Sequence, residues 1–313
     1  MFKTIFLFVL FLISLTVSAS SVDKWLDKMS SAQSRQNYQG TLVIRQGDKL
    51  QVIKVKQGAE AGKSWQTLVS QTGKDQIILR KNGQVTTIFP DKKLITVSTS
   101  NGGRTIKGPL HPTLPENRDH LKQYYLLKLG REERIANKTT QVLQITPRDK
   151  HRYGYTFWLD KQSGLLLKCD LVNDRGRVLE QLMYSNIELL PVAPDNQVDE
   201  SKLASFKKII LSGKTDLNSK IWLAKKIPAG FVLTRSMKTE QKNPTYHMVF
   251  SDGMASVSVF IATAKENQQA PVGQSSMGPV NAYSSLVDGT YITAIGEVPV
   301  STVRMIAQSV HPR

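Results

Sequence analysis

Histidine and cysteine are the side chains that most readily do chemistry, and the chain holds five of the first and one of the second. His111 and His120 flank Pro112-Thr113-Leu114-Pro115-Glu116-Asn117-Arg118-Asp119. With Glu116 or Asp119 they offer the nitrogen and oxygen donors a zinc ion takes. Their spacing matches no compact ligand pattern, and the segment reads as loop, so two surface histidines are the simpler reading. Cys169 would be a nucleophile if His151 or His247 served as its base. It sits instead in an alternating apolar run with Leu165, Leu167 and Leu171, which describes a buried, inert thiol. The chain has no Gly-x-Ser-x-Gly elbow, no Gly-x-x-x-x-Gly-Lys loop and no His-Glu-x-x-His. Glu132 and Glu133 are adjacent and stand between Arg131 and Arg134, as a solvated turn would. The weight moves from catalysis to binding, with no metal and no cofactor expected.

The scaffold that would position any such group is bounded by composition. Of 313 residues, 40% are hydrophobic and 21% charged, which is globular and excludes disorder along the whole chain. At roughly 150 residues per domain, about two domains are expected. A single cysteine closes no internal disulfide. The N-terminus carries Lys3, an apolar run from Thr4 to Leu15 and then Val17-Ser18-Ala19, the layout of a secretory leader over residues 1–19. That run is short of the roughly 20 residues a bilayer span needs, and no cysteine follows to take a lipid anchor. A soluble exported protein starting near Ser20 is expected.

Lys and Arg number 42 against 25 Asp and Glu, a formal net charge of +17. Such an excess attracts anions at long range and is screened by salt. Export argues against nucleic acid and leaves anionic lipid, lipopolysaccharide phosphates or an acidic protein, beside a surface that is merely basic. The cations are scattered (Lys54 and Lys56, Lys92 and Lys93, Lys207 and Lys208, Lys225 and Lys226), with no charged tail.

Hydrophobic period supplies the elements. Ser21 to Gln36 puts Val22, Trp25, Leu26, Met29 and Ala32 on one helical stripe, with Ser21 as cap. The period then changes to two. Strands are expected over Thr41 to Arg45, Leu50 to Lys56, Trp65 to Ser70, Gln76 to Arg80, Val85 to Phe89 and Leu94 to Val97, with Asn82-Gly83 as a type I′ turn. Thr99 to Pro115 reads as loop, Arg118 to Tyr125 as a short helix, and Arg131 to Ile135 and Thr140 to Thr146 as strands. Tyr153 to Asp160, Leu165 to Asn173 and Arg177 to Leu189 form a meander whose faces both carry apolar residues, as in a curved sheet with an occupied concave side. Pro191 to Lys220 reads as linker with a short helix over Leu203 to Leu211. Beyond it, strands are expected over Phe231 to Met237, Tyr246 to Ser251, Ala255 to Ala262, Ala282 to Val287 and Tyr291 to Ile295. A mobile loop is expected from Ala264 to Pro279, and a helix from Val300 to Val310 capped by Ser301.

Four stretches carry more than pattern. One is Trp25-Leu26-Asp27-Lys28-Met29 leading into Asn37-Tyr38-Gln39-Gly40-Thr41-Leu42-Val43-Ile44. Another is Tyr124-Tyr125 followed by Arg134-Ile135-Ala136 and Ile145-Thr146-Pro147-Arg148-Asp149-Lys150. The most specific runs from Arg152-Tyr153-Gly154-Tyr155 through Trp158-Leu159-Asp160 and Cys169-Asp170-Leu171 to Gly176 and Leu179-Glu180-Gln181. The last comprises Ile227-Pro228-Ala229-Gly230-Phe231, Tyr246, Phe250-Ser251-Asp252-Gly253 and Gly296-Glu297-Val298-Pro299. In these stretches, and in length and domain order, the chain resembles the RseB/MucB family, periplasmic regulators of the anti-sigma factor that restrains the envelope-stress sigma factor. Lys54 to Gly108 has strand patterning and no such motif.

The resemblance implies an α+β, mostly β fold. An open antiparallel β-barrel with helices across its mouth, similar to LolA and LolB, would occupy 20–195, followed by a linker over 196–220 and a smaller β-rich domain over 221–313. It also implies binding to the periplasmic domain of a membrane-spanning anti-sigma factor, shielding that domain from regulated proteolysis, and release by lipid A, lipopolysaccharide or acyl chains. The cavity face offers Leu42, Ile44, Ile78, Ile88, Tyr155, Phe157 and Leu167 as lipid contacts, each also an ordinary core position. Lys225, Lys226, Phe231 and Arg235 are the candidates for the protein partner. A periplasmic lipid or lipoprotein carrier is the alternative, although a shuttle needs only the barrel, and an exported hydrolase comes third. An exposed sheet edge or the Ala264 to Pro279 loop would allow a homo-oligomer.

Overall fold

The computed structural model describes residues 17–60, 63–81, 83–99, 114, 117–195, 203–211, 221–238, 245–264 and 272–313. The leader up to residue 16, Asn82, His111 and Glu116 lie outside these residues.

Among the described residues twelve strands make one sheet. They are β1 (Tyr38–Gln46), β2 (Lys49–Glu60), β3 (Lys63–Ser70), β4 (Ile77–Lys81), β5 (Gln84–Phe89), β6 (Leu94–Thr99), β7 (Tyr125–Ile135), β8 (Lys138–Pro147), β9 (Gly154–Asp160), β10 (Leu166–Val172), β11 (Val178–Leu189) and β12 (Lys207–Leu211). Their order is β12-β6-β5-β4-β3-β2-β1-β11-β10-β9-β8-β7, so two meanders meet where β1 pairs β11, and the sheet stays open with β12 and β7 at its edges. Local chemistry explains the meanders. Ala136 and Asn137 take φ of 47° and 61° between β7 and β8, the paired positive values that a two-residue I′ turn requires. At Gly40, beside the bulge at Thr41/Leu42, a Cβ would lie 2.5 Å from the Asn186 carbonyl oxygen, so only glycine lets β11 approach.

One face of this sheet is covered by helix α1 (Val17–Arg35). Its stripe of Val22, Leu26, Met29 and Ala32 is buried in the same core as Leu42, Tyr155 and Phe157. Helix α2 (Arg118–Tyr124) holds α1 in place: Arg118 donates to Ser30 Oγ at 2.9 Å and Lys122 to Asp23 at 2.8 Å. The Asn117 side chain accepts from the His120 N–H at 3.0 Å and caps α2. Asn117→Ala is expected to lower stability by about 0.5–2 kcal/mol, read from urea denaturation.

The second unit is a six-stranded sheet in the order β14-β15-β16-β19-β18-β17. Its strands are β14 (Val232–Lys238), β15 (Thr245–Ser251), β16 (Ser256–Thr263), β17 (Gly273–Met277), β18 (Val280–Val287) and β19 (Thr290–Gly296). Helix α3 (Val300–Ser309) packs on it through Val303, Ile306 and Ala307. A two-stranded ribbon of β13 (Trp222–Ala224) and β20 (Val310–Pro312) closes the end.

The structure corrects several expectations. Leu203 to Leu211 is no helix: Lys207–Leu211 is β12, parallel to β6. The unpaired backbone of an edge strand is a stronger partner for Lys-Lys-Ile-Ile-Leu than an isolated helical turn. Part of the expected linker thus belongs to the first sheet. Ser21 lies inside α1, which starts at Val17. Pro299, without a side-chain bond, precedes α3 in place of the expected Ser301 cap. Gly273–Met277, within the expected loop, is β17.

Candidate functional site

Strand register decides which of the expected cavity residues meet. Leu42 lies opposite Ile53 and Tyr184, Val55 opposite Leu68, and Leu68 opposite Ile78. On the other side Leu182 lies opposite Cys169, and Cys169 opposite Phe157. Leu42, Ile44, Tyr155, Phe157 and Leu167 therefore share the face under α1 and are buried in one core, with Ile78 packed against it. Ile88 does not join them. It lies opposite Ile77 and Ile95 and is buried on the other face, because neighbouring positions on a strand point opposite ways. The α1 stripe of Val22, Leu26, Met29 and Ala32 belongs to the same core as these six.

The second meeting point joins the two units, and it went unnoticed in the residue patterns. Arg152, just before β9, is buried with 0% side-chain exposure. Its Nε and Nη2 grip the two Asp149 oxygens at 3.1 and 2.8 Å. Its Nη1 crosses to Asp252 at 2.6 Å, and Nη2 also donates to the Ala229 carbonyl at 2.6 Å. The guanidinium is boxed by the rings of Tyr124, Tyr125 and Phe231, with its carbon 5.0, 5.6 and 5.0 Å from their centres. Burial alone would disfavour its charge, but the Asp149 hydrogen bonds and the Asp252 charge outweigh it and hold the guanidinium above its ordinary pKa.

Asp252 is shared. One oxygen accepts from the Tyr125 hydroxyl at 2.8 Å as well as from Arg152. The other binds the N–H groups of Met254 and Ala255 at 2.9 and 2.7 Å, fixing a turn that inserts Met254 into the first core. Burial, then the Asp252 charge, pushes the Tyr125 hydroxyl far above the usual phenol range, so it stays a donor. Gly230 takes φ of +83°, and a Cβ there would stand 2.5 Å from the Tyr124 ring. Around the ion pair, Asn281 donates to the Tyr153 hydroxyl at 2.9 Å, Thr302 to the His151 carbonyl at 3.0 Å, and His120 meets the Gly230 carbonyl at 3.1 Å. The Arg152–Asp252 pair at the centre of this joint is buried and hydrogen-bonded on both partners.

The partner candidates separate. Phe231 is buried in the joint and core of the second unit. Arg235 is half-buried on β14. Lys225 and Lys226 are exposed and line a groove of about 530 Å³ with Ser301, Arg304, Met305, Gln308, Ser309, Val310 and His311. The lining contains cations and no carboxylate, which suits an acidic segment.

Of the catalytic and metal candidates, His111 and Glu116 lie outside the described residues, and His120 meets the Gly230 carbonyl. Cys169 is buried beside Phe157 and Leu182, and burial, then Asp170, pushes its thiol well above the usual range. A thiol-reactive dye should leave it unlabelled in the native protein and label it fully after denaturation, by absorbance at matched times. His247 stacks on Phe260 with ring centres 4.3 Å apart, and burial, then Arg235, lowers its pKa. Among the described residues no cluster of histidine, cysteine and carboxylates could hold a metal ion.

Comparison with known proteins gives this geometry a context. The profile described as the MucB/RseB N-terminal domain matches residues 21–204, and that of the MucB/RseB C-terminal domain matches residues 216–311. The sigma factor AlgU regulatory protein MucB of Pseudomonas aeruginosa is 27% identical over 305 residues, covering 94% of this chain and 92% of that protein. The sigma-E factor regulatory protein RseB of Haemophilus influenzae is 26% identical over 297 residues, covering 93% and 91%. The structure of the P. aeruginosa MucA/MucB complex superposes with a TM-score of 0.73 at 26% identity, over 94% of this chain and 99% of that one. A crystal structure of MucB gives 0.68 at the same identity, over 94% and 98%.

Proposed function

The chain belongs to the MucB/RseB family, and from that premise we propose that it is a periplasmic negative regulator that binds the periplasmic domain of an anti-sigma factor and shields it from regulated proteolysis. One observation carries the reading: the likeness to a MucB structure bound to MucA runs through both units. Arg152, Asp149, Asp252, Tyr124, Tyr125 and Phe231, the centre of the joint, belong to the stretches on which the family resemblance rests. The basic groove at Lys225 and Lys226 is our candidate for the partner's acidic segment. The apolar leader over 1–19 supports export.

Calorimetric titration of residues 20–313 with the periplasmic domain of the cognate anti-sigma factor, at physiological salt, tests the reading. Saturable one-to-one binding is expected. Absence of binding by a folded sample would overturn it. The paired charge reversal Lys225→Glu and Lys226→Glu is expected to weaken binding about 5–50-fold and flatten its salt dependence.

Release by lipid is the second half of the proposal. Leu42, Ile44, Ile78, Tyr155, Phe157 and Leu167 share a face with α1 as its lid. An acyl chain that enters there competes with the α1 stripe. If lipid and anti-sigma factor favour different arrangements, each weakens the other by the same factor, and a coupling of about 1–3 kcal/mol changes affinity roughly 5–150-fold. Repeating the titration with lipid A present measures that factor. A carrier would instead bind acylated peptide in preference to the anti-sigma segment.

A further inference from the structure

Two arginines with enclosed guanidinium edges make an instructive contrast, Arg152 buried and Arg80 half-buried. Arg152 presents the Nε/Nη2 edge of its guanidinium to both oxygens of Asp149. In Arg80, on β4, the same edge is empty: Nε and Nη2 are enclosed and have no hydrogen-bond partner among the described residues. Only Nη1 is engaged, donating to Gln66 Oε1 at 3.2 Å. Register places Arg80 on the concave face, because it lies opposite Gln66, Gln66 opposite Gln57, and Gln57 opposite Tyr38. The polar corner is continued by Tyr38 and Tyr184, whose hydroxyls are 3.4 Å apart, and by Gln66, which donates to Tyr38 at 3.4 Å. Ile78, two residues along β4, begins the apolar part of the same face.

No carboxylate among the described residues hydrogen-bonds Arg80, since Nη1 goes to Gln66 and Nε and Nη2 have no partner. Glu180 shares the face but pairs with Gln46, eight residues from Tyr38 along β1 and so roughly 26 Å away at strand rise. A guanidinium cannot shed its proton to escape burial. A half-buried cation with no counter-ion and two enclosed N–H groups left without acceptors is unfavourable, and an apolar side chain of similar volume would be the more stable choice. The planar Nε/Nη2 edge fits two oxygens of one carboxylate or phosphate.

We propose that Arg80 anchors the anionic head of a single-chain amphiphile, a carboxylate or phosphate held by Nε and Nη2, with its hydrocarbon tail lying along Ile78, Leu68 and Leu42 under α1. The inference rests on the reading above that the concave face takes lipid, and it adds the head-group chemistry and the residue that reads it. The residue itself is only partly buried, so the head reaches it from the rim.

The test compares dodecyl phosphate, laurate, dodecanol and inorganic phosphate as ligands of the full chain, by displacement of a fluorescent fatty-acid probe below the micelle concentration. The wild-type protein is expected to prefer at least one anionic amphiphile over dodecanol by about tenfold or more. Whether dodecyl phosphate or laurate wins identifies the head group. Arg80→Met should bring that ratio close to one and raise the Tm of the unliganded protein, while Arg80→Lys should keep part of the preference. Equal binding of dodecanol by the wild type, a preference that survives in Arg80→Met, inorganic phosphate bound as well as dodecyl phosphate, or no binding at all would overturn the proposal. So would a marked fall in Tm for Arg80→Met, which would make the guanidinium structural. The anti-sigma titration, run on the same preparation, does not depend on Arg80, so failure here is separable from failure of the regulator reading.

Discussion

Arg152→Ala is expected to cost about 3–5 kcal/mol, the usual loss when one partner of a buried ion pair is removed and the other stays behind. Asp252 would be left with the Tyr125 hydroxyl and two backbone N–H groups, and with no cation. The cost falls on the joint, so the two units should melt as separate transitions where the wild type melts as one. Differential scanning calorimetry reads this directly. Asp252→Ala should behave alike, and the double variant should lose much less than the sum of the two, because charge and counter-charge then leave together. Arg152→Lys is no rescue: an ammonium cannot grip both Asp149 oxygens and reach Asp252 at once. If Arg152→Ala changed stability by less than about 0.5 kcal/mol, the ion pair would not be what holds the units.

Phe157→Ala is the second large effect, at about 3–5 kcal/mol. Phe157 has 0% exposure and sits mid-sheet between Leu143 and Cys169. Strands on both sides and α1 above leave little room for the cavity to collapse. The loss should lower the single transition of the wild type, and in an Arg152→Ala background it should fall on the transition of the first unit, with the second unit unmoved. Tyr155, its tilted neighbour at 5.9 Å, shares that face, so a cavity at position 157 also tests the lipid reading: a roomier face should take an acyl chain more readily, even as the fold weakens. A Phe157→Ala protein with unchanged stability would mean that the concave face is loosely packed.

Much of the fold is legible in the residues, for reasons that can be named. The stripe of Val22, Leu26, Met29 and Ala32 has helical spacing, and Tyr38, Leu42 and Ile44 have strand spacing, so periodicity finds both. Ile88 shows where that method stops. Alternation tells which residues of one strand share a face, while only pairing tells which faces of two strands agree, and pairing is tertiary. β12 was hidden because Ile209 and Ile210 become strand by borrowing hydrogen bonds from β6.

The joint was half visible. Its central residues sit in the quoted motifs, yet a lone arginine and a lone aspartate 100 residues apart carry no spacing that could pair them. The available signal was chemical: Arg152 precedes an almost wholly apolar strand, and Asp252 sits between Phe250 and Met254. A charge so placed must find its opposite.

β12, beside β6, ends at Leu211 and β13 begins at Trp222, with ten residues of sequence between them. The units meet instead through β7, β9 and their flanking loops. A tether this short keeps the second unit at an effective concentration in the millimolar range whenever the joint opens. Closure is then a first-order event, indifferent to how much protein is present. A ligand that parts Arg152 from Asp252 therefore works against a local concentration it cannot dilute, and the open form lasts only while that ligand stays bound.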